Sequence, residues 1–174
     1  MRRVLSLIFG FIVDYGHLGI NNAIIFFQNE KKYSNDNIFS TNLNFLFILS
    51  LAFSLLIFSL KNLSLLVNDL NYSLLILGII FIFVRYPGDC SNRFYIGNEK
   101  IYLSNKYKFI NKLIHVSLLL LLFLTGNLSV FTFLIINVFE HFSNMVLFVK
   151  KLNYNYKLKL DFNLIKREIK FGSI

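Results

Sequence analysis

The stretch from Ile38 to Leu60 holds 23 consecutive residues without a charge. As a helix it would rise ~1.5 Å per residue, roughly 34 Å in all, enough to cross a bilayer core of ~30 Å. A soluble domain can bury its core without runs of that length. The run is not isolated either, because 56% of the chain is apolar and the mean hydropathy is +0.60. These features predict an all-α integral membrane protein.

The other apolar stretches extend this to five expected spans, at about residues 4–27, 38–60, 72–90, 109–124 and 128–149. Together they would form a transmembrane bundle over residues 1–149. One boundary needs an argument. Leu113 to Val149 is 37 residues long, too many for one crossing and enough for two. Thr125-Gly126-Asn127 sits near its middle, and Gly-Asn is turn chemistry. Lysines flank the stretch on both sides, at Lys106, Lys108 and Lys112 and again at Lys150 and Lys151. If both clusters are cytoplasmic, the number of crossings between them is even. A hairpin satisfies both observations. Ser91 to Lys112 then reads as a basic loop holding the end of one helix and the start of the next.

The net charge of +9 has a use in this arrangement. A basic soluble protein would suggest nucleic acid. Here the charge falls in the loops, where it sets topology and meets anionic headgroups, so membrane lipids are expected partners and nucleic acid is not. Fifteen of the 18 basic residues fall on one side, taken as cytoplasmic. Arg2, Arg3 and Lys61 fall on the other. An Arg-Arg start on the outer face contradicts the rule, and a further helix before residue 1 would remove the contradiction. A signal peptide is rejected, because Asp14-Tyr15-Gly16 follows the apolar stretch instead of a small-x-small cleavage site.

Residues 150–174 form a basic cytoplasmic segment. Within it, Phe162, Ile165 and Ile169 recur at near-helical spacing, and Asp161 precedes them as an N-cap. This predicts a short amphipathic helix on the cytoplasmic surface.

Ionisable groups at membrane depth are costly and therefore candidates for function. Asp14, His17 and Asn21 share one face of the first span, as a cavity-lining stripe or as bonds that hold the bundle. Asn137, Glu140, His141 and Asn144 form a second stripe at i, i+3, i+4 and i+7, which should face the interior. Glu140 and His141 could exchange a proton or bind a cation; the plainer alternative is a charge satisfied by neighbours. Arg85, Asp89 and Arg93 are spaced for intrahelical ion pairs, and either arginine could meet a phosphate or simply anchor a helix end. Pro87 should kink or end that helix. His115, one turn into the fourth span, reads as interfacial.

Other chemistry is absent from the sequence. Cys90 is the only cysteine, which rules out an intrachain disulfide or a multi-cysteine metal site. No phosphate-binding glycine loop, nucleophile elbow or metal cluster is present, so no cofactor and no enzymatic activity is expected.

Two segments carry a resemblance. Phe11-Ile12-Val13-Asp14-Tyr15-Gly16, with Lys31-Lys32 after it, resembles the second helix of polysaccharide and O-antigen flippases. These belong to the multidrug/oligosaccharidyl-lipid/polysaccharide exporter superfamily. Ile165-Lys166-Arg167-Glu168-Ile169-Lys170-Phe171-Gly172 resembles the cytoplasmic helix before their seventh helix. The distance between the segments fits five spans, so the resemblance covers the whole chain. It implies helices two to six of a two-lobed transporter of 12 to 14 helices in a bacterial inner membrane. It also implies alternating access for undecaprenyl-diphosphate-linked oligosaccharide, generally coupled to an ion gradient. The cavity-lining candidates would be Asp14, His17, Asn21, Arg85, Asn137, Glu140, His141 and Asn144. The alternatives are an O-antigen polymerase or lipid-linked glycan transferase, a drug exporter of the same superfamily, or a small non-transporting membrane subunit. The short expected outer loops, Lys61 to Asn71 and Thr125 to Asn127, argue against the enzymes.

Overall fold

The computed structural model describes residues 10–12, 14–62, 71–152 and 154–172. Arg2-Arg3, the start of the first expected span and most of the loop after Lys61 lie outside the described residues. Among the described residues the helices with defined ends are, in order, α1 Ile20–Glu30, α2 Asn35–Asn62, α3 Tyr72–Gly97, α4 Ile101–Leu124, α5 Val130–Leu152 and α6 Phe162–Gly172. Among the described residues no strand occurs. Helices α2 to α5 are each long and apolar enough to cross a membrane. The fold is that of an all-helical protein with four such helices among the described residues.

The first expected span is not one helix. Residues 10–12 and 14–15 are helical, residues 16–19 turn, and α1 starts at Ile20. At 11 residues, α1 is roughly 17 Å long and too short to cross alone. The turn depends on glycine twice. Gly19 has φ 74° and lies against the Gly172 backbone, where a Cβ would come within 2.3 Å of the Gly172 carbonyl oxygen. At Gly16, a Cβ would come within 2.1 Å of the Tyr86 hydroxyl. That hydroxyl donates to the Ile12 carbonyl, which fixes the turn onto α3.

Helix ends explain the remaining boundaries. After α4, Gly126 adopts φ 70°, Asn127 N–H donates to the Leu122 carbonyl (2.9 Å), and Gly126 N–H donates to Phe123 (3.1 Å). This pair of bonds is a Schellman stop. Ser129 and Thr132 then cap α5 reciprocally, at 2.8 and 3.1 Å. The same stop closes α3, but Glu99 takes the left-handed position at φ 60°, and Lys100 N–H reaches the Tyr95 carbonyl at 2.9 Å. The basic stretch from Ser91 to Lys112 does hold the end of one helix and the start of the next, but the loop between them is only a tight turn, and most of its lysines lie on α4. Pro87 sits inside α3 without ending it.

Helix α3 is central and contacts α1, α2, α4 and α5. Gly88 faces α5, with Met145 Cβ 3.6 Å from where its own Cβ would stand, an ordinary packing distance. The buried core joins Ile20, Ile24 and Phe27 of α1, Phe39 and Leu46 of α2, Tyr86, Phe94 and Tyr95 of α3, Phe148 of α5 and Leu164 of α6. The ends of α1, α3 and α5 gather together: Gln28 abuts Gly97, and Asn98 bonds Tyr154 at 2.5 Å. Asp161 caps α6 by accepting from Leu164 N–H at 3.1 Å. Helix α6 presents the expected face in part, with Ile165 buried and Ile169 packed on the core. Phe162 is exposed, while Leu164, Ile165 and Glu168 are buried against α1 and α2. Arg167 pairs with Glu30 (3.1 Å), and Phe171 stacks on Phe26 with ring centres 4.4 Å apart.

Candidate functional site

Arg85 lies near the midpoint of α3, so in a spanning helix it stands roughly 18–20 Å from either end. Its side chain is held on two sides. Nε donates to Asp89 Oδ2, one turn on, at 2.7 Å. Nη1 lies 2.9 Å from His141 Nε2 of α5. A guanidinium can only donate, so this His141 nitrogen accepts and the imidazole carries its proton on Nδ1. Phe81 meets the His141 ring edge-on at 5.1 Å, which orients it.

Arg85 opens onto a cavity of about 290 Å³. Asp14, His17 and Asn21 line it from the turn and the start of α1; Arg85, Asp89, Asn92, Arg93 and Ile96 line it from α3; Lys108 reaches it from α4. The break at residues 16–19 aims these side chains. His17 Nδ1 accepts from Gly19 N–H at 3.2 Å, which ties its ring to the turn. Asn21 is buried, and its Oδ1 has no partner. Asn92 accepts from Ser104 of α4 at 2.5 Å, so the α3–α4 turn closes one side. Three cations and two carboxylates share the wall, beside neutral groups that donate and accept. Such a wall can replace water around an anionic, hydroxyl-rich headgroup.

The expected stripe on α5 divides. His141 joins the cavity cluster through Arg85. Glu140 and Asn144 face α4 instead. Asn144 accepts from Asn111 at 2.6 Å. Glu140 Oε2 lies 3.3 Å from Lys112 Nζ and 2.5 Å from His115 Nδ1, the latter a close approach without hydrogen-bond alignment. His115 is buried against this carboxylate. Asn137 bonds back to the Phe133 carbonyl of its own helix at 2.8 Å and joins neither group.

Of the eight candidates, Asp14, His17, Asn21 and Arg85 meet at the cavity, His141 touches it through Arg85, and Glu140, Asn144 and Asn137 do not line it. Asn92 and Lys108 were missed, Asp89 was read only as an ion-pair partner, and Arg93 was read as a phosphate contact or a helix-end anchor but not placed among the cavity residues. The signal was present. Arg85, Asp89, Asn92 and Ile96 follow a helical period, and so do Lys108, Asn111, Lys112 and His115. The second set escaped because its lysines were assigned to a loop.

Compared with protein-family models, curated proteins and solved structures, the chain matches none.

Proposed function

We propose that this chain is the membrane-spanning part of a transporter that moves lipid-linked oligosaccharide across a bacterial cytoplasmic membrane. It would form part of a larger two-lobed bundle of 12 to 14 helices. The observation that carries the reading is the cavity at Arg85. Arg85, Arg93 and Lys108 face one space at membrane depth, together with amide groups of Asn21 and Asn92. A half-buried cation near the middle of a spanning helix is expensive unless it serves a pathway or a ligand. A diphosphate flanked by a sugar matches the chemistry of this wall: charged oxygens for the guanidinium groups, hydroxyls for the amides. A second observation supports the reading. The stretch just after the first resembling segment packs on the second, with Gly172 against Gly19 and Phe171 stacked on Phe26.

In this mechanism the headgroup enters between α1 and α3 from the side where the basic helix ends gather. The polyprenyl tail stays in lipid. Movement of this bundle against a second one exposes the headgroup to the opposite face, with no covalent step. Sidedness follows from Lys31, Lys32, Lys150 and Lys151 on the cytoplasmic side.

The test is lipid retention. The full chain is purified in nanodiscs containing polyprenyl-diphosphate-linked sugar, polyprenyl monophosphate and phosphatidylcholine, and the bound lipid is identified by native mass spectrometry. The diphosphate lipid should be enriched about tenfold, and Arg85→Gln with Arg93→Gln should remove the enrichment. Equal retention of all three lipids overturns the reading. Preferred binding of an aromatic cation would favour drug export, and sugar transfer between lipids would favour an enzyme; either result also overturns it.

A further inference from the structure

Glu168 is fully buried on α6, although its neighbours Lys166 and Arg167 reach solvent or a surface ion pair. Its partner is Asn42 of α2, whose Nδ2 donates to Glu168 Oε1 at 3.0 Å. The other half of this contact is unusual. Glu168 Oε2 and Asn42 Oδ1 are both buried and both lack a hydrogen-bond partner. In the ionised state each is only an acceptor, so neither can satisfy the other. Two unsatisfied buried oxygens on paired side chains would be costly. One added proton changes this. A carboxylic acid and a primary amide form a closed ring of two hydrogen bonds, with amide N–H to acid C=O and acid O–H to amide C=O.

We propose that Glu168 is a proton-binding site: its carboxyl carries a proton on Oε2, pairs with Asn42 in a two-bond ring, and on releasing that proton loosens α6 from α1 and α2. The proton goes to water, and the carboxylate left behind has one donor where the acid had a donor and an acceptor.

The surrounding charges fit this state. From α1, Glu30 faces α6 but is taken up by Arg167, which also donates to Tyr33. From α2, Asp36 accepts from the Asn155 N–H, and Asn37 donates to Asp161. From α3, the buried Cys90 thiol lies close enough to sense the Glu168 charge. On its own segment, Asp161 opposes a second negative charge. Burial and then the Asp161 charge push the Glu168 carboxyl up to about 8 from 4.5, against the opposing pull of the Asn42 bond. A carboxyl raised in the docked state binds more protons docked than free. Docking is therefore tightest below about 4.5 and weakens as pH rises, until the loss is complete above about 8.

The experiment compares the full chain with Glu168→Gln in nanodiscs, between about pH 6 and about pH 9. Infrared difference spectra should show a carboxylic-acid carbonyl band in the wild type that disappears with a midpoint near 8. Glu168→Gln should lack it, since its amide can donate to Asn42 Oδ1 at every pH. Hydrogen exchange of residues 162–172, corrected for intrinsic rate, should accelerate at least about tenfold across this range in the wild type and stay level in the variant. An acid band that titrates near 4.5, or a pH response that survives in Glu168→Gln, overturns the proposal. So does a midpoint that moves with sodium at constant ionic strength, which would make the pair a cation site. None of these readouts depends on lipid binding at Arg85.

Discussion

In α2 and α3 the most apolar stretches bury 28% and 39% of their residues inside the protein; in α4 and α5 the shares are 11% and 6%. Hydropathy does not account for the difference, because α3 and α4 have the same value of 1.6. The two pairs are attached by different means. Helices α2 and α3 interlock through aromatic and aliphatic side chains, such as Phe39 against Phe94 at 5.1 Å. The α4–α5 hairpin is joined across its own seam by Asn111 to Asn144 and by Lys112 and His115 to Glu140, and it is tied to α3 by His141 to Arg85. Lipid tails compete equally well for an exposed leucine, so apolar contact alone cannot hold a peripheral helix in a membrane. Polar bonds remain, and the hairpin uses them beside the contact of Phe148 with Tyr95, whose ring centres lie 5.1 Å apart.

The largest effect should come from the interlocked half. Gly16→Val places carbon within 2.1 Å of the Tyr86 hydroxyl and 2.8 Å of the Phe53 ring. It should destabilise the protein by about 3 kcal/mol or prevent its recovery, measured by denaturant unfolding in micelles. Unchanged unfolding would break the claim that this turn is packed on α3. Glu140→Leu should have a smaller effect, about 1–2 kcal/mol, since it removes the partner of both His115 and Lys112. Its signature is local: hydrogen exchange should rise in α4 while α2 stays protected. Leu121→Ala on the exposed face of α4 should cost less than about 0.5 kcal/mol in the same unfolding assay. A larger loss there would mean that this face is covered by protein and not by lipid.

What could be read from the residues alone follows the same division. Long apolar runs mark α2 to α5, because the bilayer imposes length and composition directly. Gly126 marks the hairpin and Asp161 marks the start of α6, because their side chains, or lack of one, meet a backbone requirement. Glu99 hid the α3–α4 turn, since it occupies a left-handed position where glycine would have been a signal. The lysines of α4 then passed for loop charges, which concealed Lys108 at the cavity. Glu168 was hidden for another reason. On an amphipathic wheel it counts as polar and solvent-facing, and only the packing of α6 on α2 reveals that it is buried. The break at residues 16–19 was suggested by two glycines, but apolar residues on both sides disguised it as one span.

The central claim is that an anionic lipid headgroup occupies the cavity at Arg85 and not the lipid-facing hairpin. A polyprenyl-diphosphate-linked sugar with a photoreactive group on its first sugar tests this by cross-linking and peptide mapping of the nanodisc-bound chain. The expected labels fall in α3 between Arg85 and Arg93 and in residues 14–21, and Arg85→Gln removes them. Labels confined to exposed residues of α4 and α5, such as Leu120 and Phe131, and unchanged by Arg85→Gln, would contradict the account.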